Sequence, residues 1–246
     1  MATFASIDAT QGIVMESAES LLRGLDPQQR LAAESLLGPV RIIASAGSGK
    51  TKTISHRIAY GVATGVYAPE KVLALSYTSR SAAELRSRIN SLGVPAVQVR
   101  TVHAAALAQL RYFWPQLTGL NAPKVLGSKK ELLLEVLKNL KIDASQSVLR
   151  ELASEIEWWK YSLLSPEEYA SAERQLETMN HSVAADVIFE YEKLKNSSQQ
   201  IDWEDVLLLT LGMLKSEPRV AEHVHSQYRF FTIDEFQDVS ALQFAL

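Results

Sequence analysis

The stretch Ile42-Ile43-Ala44-Ser45-Ala46-Gly47-Ser48-Gly49-Lys50-Thr51 reads as a strand running into a phosphate-binding loop and then a helix. Gly47 and Gly49 lack Cβ atoms, so backbone N–H groups can close around anionic oxygens there. A helix starting near Gly49 adds the positive end of its dipole to the same cradle. Lys50 can reach the β- and γ-phosphates of a nucleotide, and the Thr51 hydroxyl suits a magnesium ligand position. The strict motif has glycine where Ala44 stands. The residues expected to bind nucleotide here are Ala44, Ser45, Ala46, Gly47, Ser48, Gly49, Lys50 and Thr51.

A second stretch near the other end of the chain completes the chemistry. Phe230-Phe231-Thr232-Ile233-Asp234-Glu235 is an apolar run ending in two carboxylates, as expected at the C-terminal tip of a buried parallel strand. Together the two stretches imply a magnesium nucleotide and its hydrolysis, with Lys50 acting on the phosphates.

Composition narrows the class without choosing within it. The 246 residues are 47% hydrophobic and 22% charged, which is ordinary for a globular chain. No apolar run approaches the roughly 20 residues needed to span a bilayer, so no membrane partner is expected. The N-terminus carries Asp8, Glu16 and Glu19 and has no signal-peptide pattern. With no cysteine, disulfides and thiolate metal sites are excluded from this sequence, which fits a cytoplasmic setting. The net charge of −3 hides an asymmetry: Arg41 to Arg111 holds ten Lys/Arg against Glu70 and Glu84, a net of +8. Such a block around the loop points to a polyanionic partner, or to solvated helix faces.

Along the chain the first part alternates strands and helices, which argues for a parallel α/β sheet. Residues 1–24 read as an N-terminal extension with a short helix from Val14 to Arg23. Asp26-Pro27 opens a helix to Leu37, Val40 to Ala44 reads as a strand, and Lys71 to Tyr77 as a second one. A short strand is expected at Val97 to Val99. From about Leu110 to Gln200 no strand is expected. Helical segments are predicted instead at Lys129–Leu140, Ser147–Tyr161, Pro166–Thr178 and Val183–Lys195, followed by a linker over Asn196–Gln200. Asp202-x-x-Asp205 opens a further helix. The predicted organisation is a first α/β part at 25–109, a helical insert at 110–200, and a second α/β part at 201–246. The chain stops at Leu246, soon after the acidic strand, so a fragment is expected.

Six motifs in order then carry a family resemblance: Leu25-Asp26-Pro27-Gln28-Gln29-Arg30, the Ala44–Thr51 loop, Ser76-Tyr77-Thr78-Ser79-Arg80-Ser81-Ala82, Thr101-Val102-His103, Asp202-Trp203-Glu204-Asp205, and Asp234-Glu235-Phe236-Gln237-Asp238. They resemble the UvrD/PcrA/Rep group of superfamily 1 DNA helicases. Leu110-Arg111-Tyr112-Phe113-Trp114 and Glu155-Ile156-Glu157-Trp158 resemble its second, actinobacterial UvrD-type branch. The resemblance implies a RecA-like P-loop NTPase sheet with an inserted all-helical subdomain. It also implies ATP and Mg²⁺, 3′-to-5′ translocation on single-stranded DNA, and unwinding at duplex junctions. The remaining helicase domains would be partners, so these 246 residues alone are expected to turn over little ATP. The rivals are an ATP-gated single-strand-binding module and a non-unwinding translocase subunit of a helicase–nuclease complex.

By that resemblance Gln29 would read the adenine edge, Asp234 would join Thr51 in holding magnesium, and Glu235 would orient or deprotonate the attacking water. Tyr77, Thr78, Arg80, Thr101, His103 and Trp203 would meet DNA. Tyr77 stands for the usual phenylalanine, Arg80 for lysine, and Trp203 for phenylalanine. An exposed aromatic face can stack on a base; a packed tyrosine, a capping threonine with a half-buried histidine, and a core tryptophan are the bland alternatives. Trp158-Trp159 sit at i, i+1 on a helix and point different ways, so one is expected to pack and the other to be exposed. His223-x-His225 lacks a nearby third ligand and reads as a solvated loop.

Overall fold

Asp26 begins the first helix of the computed structural model, which describes residues 18–45 and 47–246. Its side chain accepts from the backbone N–H groups of Gln28 and Gln29, and the Gln29 amide returns to the Asp26 N–H. With Pro27 at the first position, this reciprocal cap fixes where α1 (Pro27–Glu34) starts. In chain order there follow α2 (Lys50–Ala63), β1 (Val72–Ser76), α3 (Ser79–Ser91), β2 (Gln98–Thr101), α4 (Val102–Thr118), β3 (Lys124–Val125) and α5 (Lys130–Leu140). Then come α6 (Gln146–Tyr161), α7 (Pro166–Ser171), α8 (His181–Ser197), β4 (Gln200–Ile201), α9 (Trp203–Ser216), α10 (Pro218–Gln227), β5 (Phe230–Ile233) and α11 (Ala241–Ala245). Among the described residues no helix is long and apolar enough to cross a membrane.

The chain divides into two compact units. The first takes the residues up to Thr101 together with Val224–Phe236. Its sheet has the order β2-β1-β5 and is parallel throughout, with Leu75 opposite both Arg100 and Ile233. Parallel neighbours need crossover connections, so every strand ends at the same sheet edge, where ligands of such folds are bound. Ile54 and Ile58 of α2 and Leu85 and Ile89 of α3 form one core with Val72, Ala74 and Val99 of the sheet. Tyr67 locks this core, donating its hydroxyl to the Leu36 carbonyl at 2.7 Å with its ring centroid 4.4 Å from that of Phe230. Gly61 is required for it, because a Cβ there would lie 2.2 Å from the Tyr67 ring.

Two expectations for this unit do not hold. Val40 to Ala44 is not a strand: it pairs with no strand among the described residues, and Val40 and Ile43 are exposed. A branched apolar run suits a strand, but only a neighbouring strand supplies the ladder bonds that make one. Of the helix expected from Val14, residues 14–17 lie outside the described residues. The rest is a short 3-10 turn at Ser20–Leu22, whose Leu21 and Leu22 are buried rather than loosely attached.

The second unit takes Val102–His223 and Gln237–Leu246. Helices α5, α6 and α8 enclose a core that includes Leu137, Leu152, Ile156, Tyr169 and Tyr191. The compact units part at Thr101/Val102 and His223/Val224, not at the expected 109/110 and 200/201, because α4 packs along α9 within this unit. Two short strands interrupt the expected all-helical stretch: β3 pairs in parallel with β4. α7 stops at Ser171 instead of reaching Thr178, since the Glu151 carboxylate accepts the backbone N–H groups of Glu177 and Thr178 and competes with helix bonding. α10 runs where a solvated His223-x-His225 loop was expected, and the His223 ring packs 5.3 Å from that of Phe113. Neither paired tryptophan is an open platform: Trp159 is buried and donates to the Leu164 carbonyl, while the Arg174 guanidinium covers Trp158 at 3.6 Å.

Candidate nucleotide site and nucleic-acid contacts

The phosphate loop is built by two glycines in the left-handed region, Gly47 at φ 76° and Gly49 at φ 83°. A residue with a Cβ is strained there. Between them the Ser48 hydroxyl donates to the Ser45 carbonyl at 2.6 Å, closing the turn. α2 starts at Lys50 with no side-chain cap, which leaves its first N–H groups pointing into the loop. Lys50 Nζ lies 3.5 Å from the Ala44 carbonyl, folded back along the loop. Ala46 lies outside the described residues. Gln29 is committed at both ends of its amide, capping Asp26 and donating to the Ser48 carbonyl at 3.0 Å. It therefore braces the loop, a role its sequence position does not show.

The acidic pair lies in the same unit, beyond β5. The Asp234 N–H donates to the Leu75 carbonyl at 2.9 Å, so ladder bonding carries the chain to the strand tip. Asp234 is buried, and this burial, together with the Glu235 carboxylate, pushes its carboxyl above the usual range although Lys50 pulls the other way. Glu235 adopts φ 53° without being glycine, and its N–H returns to Asp234 Oδ1 at 3.1 Å. Ser76, at the same sheet edge, carries a buried hydroxyl without a hydrogen-bond partner. Left-handed glycines, an uncapped helix start, and a lysine and a buried carboxylate in the same unit together fit a magnesium nucleotide.

The residues expected at DNA divide between the units. In the first, Tyr77 is 56% exposed directly after β1. Thr78 caps α3 through Ser81, Arg80 is exposed, and Thr101 ends β2 opposite Ser76. In the second, His103 and Trp203 meet edge to face at 5.9 Å. Trp203 is 43% exposed, not in the core. Burial holds His103 below the usual imidazole value, and Nε2 is 3.2 Å from the Tyr161 hydroxyl.

The +8 block is only partly a surface charge. Lys52 donates to the Gly24 carbonyl, Arg57 is buried on the Ala32 and Leu36 carbonyls, and Lys71 reaches the Ser226 carbonyl. Arg86 bonds the Val99 carbonyl and Arg88 pairs with Glu84. These cations hold the fold together, which a charge count along the chain does not reveal.

A feature that the sequence does not show is an ion cluster inside the second unit. Lys160 and Lys195 are buried and share Asp202, Asp205 and Glu192, with Lys160 Nζ 2.8 Å from Asp202 Oδ2. The carboxylates Glu192, Asp202 and Asp205 lie close enough to hold a cation, and the two ammonium groups fill that role. The capping pair Asp202-x-x-Asp205 was legible, but Lys160 and Lys195 look like any helix-surface lysine.

Residues 25–246 match the family model for the UvrD/REP helicase N-terminal domain. The chain is 42% identical over 92% of its length to the ATP-dependent DNA helicase UvrD2 of Mycobacterium tuberculosis, covering 34% of that protein. It is 30% identical over 98% of its length to the ATP-dependent DNA helicase UvrD1 of Mycobacterium leprae, and 29% over 93% to the ATP-dependent DNA helicase PcrA of Bacillus subtilis. It spans about a third of the length of each of these relatives, 34%, 32% and 31%. The chain belongs to the UvrD/REP helicase family and carries its N-terminal domain.

Proposed function

We propose that this domain binds magnesium–ATP in a 3′-to-5′ DNA helicase, which couples hydrolysis to movement along single-stranded DNA and to opening of duplex junctions. The observation that carries the reading is the left-handed pair Gly47 and Gly49 running into the uncapped start of α2 at Lys50. A glycine loop, a lysine at a helix start and a buried carboxylate at a strand tip of the same unit meet the needs of phosphoryl transfer, where positioning and charge stabilisation do most of the work.

In this reading the loop from Ala44 to Thr51 cradles the phosphates, and Lys50 neutralises charge on the transferred group. Thr51 and Asp234 would hold magnesium, which supplies further neutralisation of the phosphate oxygens. Glu235 accepts the proton of the attacking water. Gln29 keeps the loop in register through its bonds to Asp26 and Ser48, and the second hydrogen of its amide nitrogen would serve the adenine edge. Tyr77, Thr78, Arg80, Thr101, His103 and Trp203 serve the single strand. A cytoplasmic setting belongs to the same proposal.

The test is ATP turnover with and without single-stranded DNA in the protein that carries this domain. Lys50→Ala should abolish DNA-stimulated turnover while thermal unfolding stays unchanged. Undiminished turnover at saturating ATP would remove the proposal. Retained hydrolysis without strand separation would leave the translocase reading in its place.

A further inference from the structure

Val72, Ala74 and Ser76 alternate along β1 onto one face of the sheet, and each is at most 1% exposed. Val72 and Ala74 share a core there with Ile54 and Ile58 of α2, the helix that begins at the phosphate loop. The row ends in a hydroxyl, and Ser76 Oγ has no hydrogen-bond partner. A buried hydroxyl left unbonded lowers stability, and an alanine in its place would not. Packing alone therefore gives no reason for a serine at this position.

The neighbouring strands name the groups within its reach. On one side the ladder sets Ser76 opposite Thr101. On the other it sets Leu75 opposite Ile233, and the Asp234 N–H donates to the Leu75 carbonyl at 2.9 Å, which brings Asp234 alongside Ser76. Asp234 is in phase with Phe230 and Thr232, which stand opposite Val72 and Ala74, so it shares the face of Ser76. Both side chains are buried, and a bond between them forms away from bulk water. One carboxylate oxygen of Asp234, Oδ1, already accepts the Glu235 N–H at 3.1 Å. An ionised carboxylate is a stronger acceptor for a hydroxyl than a second hydroxyl is.

We infer that Ser76 is a positioning residue for the magnesium nucleotide: in the nucleotide-bound state its hydroxyl donates to the Asp234 carboxylate and fixes the orientation in which that carboxylate would hold magnesium. The inference rests on the nucleotide-binding reading above and adds to it a residue of β1, a strand with no other part in the phosphate site. The hydroxyl lowers stability in the free chain and adds affinity in the loaded one, a pair of signs that a packing residue does not show.

The experiment measures binding of a fluorescent ADP to the protein that carries this domain, with magnesium and with excess EDTA. It also follows hydrogen exchange of the β1 amides without nucleotide. Ser76→Ala should weaken magnesium–ADP binding about tenfold and leave binding in EDTA unchanged. Without nucleotide its β1 amides should exchange as slowly as those of the parent, or more slowly, since an unbonded hydroxyl has been removed. In an Asp234→Ala background, Ser76→Ala should cause little further loss of magnesium–ADP affinity, because the acceptor is already gone. Unchanged magnesium–ADP affinity in Ser76→Ala would overturn the inference. An equal loss in EDTA, or the full loss repeated in the Asp234→Ala background, would overturn it as well. Faster exchange along β1 would assign Ser76 to packing and also overturn it. A parent protein that binds no ADP in either condition would instead fail the nucleotide-binding reading itself, and this inference with it.

Discussion

Gln29 and Ser48, nineteen residues apart, are joined by a 3.0 Å hydrogen bond from the glutamine amide to the serine carbonyl. The bond explains why Gly49 has to be a glycine twice over. Its φ of 83° excludes most side chains, and a Cβ there would stand 2.9 Å from Gln29 Nε2. One position thus reports on the loop and on its brace.

Gly49→Ala should weaken magnesium–ATP binding at least tenfold by calorimetry, since the left-handed backbone alone costs an alanine about 1–2 kcal/mol. Adding Gln29→Ala removes the clash but not the strain, so the double variant should stay weaker than the parent chain. Full recovery would mean that the loop is braced by something else.

Glu235→Gln should retain magnesium–ATP binding and lose hydrolysis in the protein that carries this domain. The amide is nearly isosteric but cannot take the proton of water, and such a base contributes roughly 10²–10⁴-fold. A loss smaller than about tenfold in single-turnover assays would assign the base to another residue.

Asp202→Asn should destabilise the second unit by about 3–5 kcal/mol, because Lys160 and Lys195 would then share less counter-charge in a buried site. Burial opposes ionisation of Asp202, but these two ammonium groups outweigh it and hold its carboxyl well below the usual range. Stability gained in this way is present above the ordinary carboxylate value of about 3.9 and is lost as pH falls below it. Denaturant melts of parent and variant should therefore converge in acid; a constant gap would count against the cluster.

Glu204 works in the opposite sense. Burial, joined by the nearby Asp202 carboxylate, holds it up at about 6 even though Lys129 favours its charge. A raised carboxyl contributes stability below its unfolded value of about 4.3 and loses it as pH rises through 6. Relative to Glu204→Gln, the parent chain should lose on the order of 1 kcal/mol between about pH 5 and 7. An unchanged difference across that window would place the ionisation elsewhere.

Much of this was legible in the sequence because local chemistry fixes it. The Asp26 and Asp202 caps, the glycine loop and β1 depend on residues within a few positions of one another. The Asp234 strand tip could be read from an apolar run that ends in two carboxylates. Val40 to Ala44 failed because strand formation depends on a partner elsewhere, and no run of five residues names that partner. Trp203 was ambiguous for the same reason: exposure is a property of what packs nearby. The roles of Gln29, Lys160, Lys195 and Tyr161 stayed hidden because each is defined by a residue distant in the chain. Arg57 and Lys71 counted toward a basic surface until their carbonyl partners were visible.

The register that pairs Val72 with Phe230 as well as Leu73 with Gln98 has a kinetic consequence. β1 and β2 are separated by a single helix, so their pairing closes a short loop. Pairing of β1 with β5 instead closes over all of Val102–His223, and closure entropy grows with the logarithm of the intervening length. Pairing of such high sequence separation slows folding. Pulse-labelled hydrogen exchange during refolding should protect the amides of β2 before those of β5. The strand that delivers Asp234 would then be the last to arrive, and the nucleotide site would be completed only when refolding of the sheet is finished.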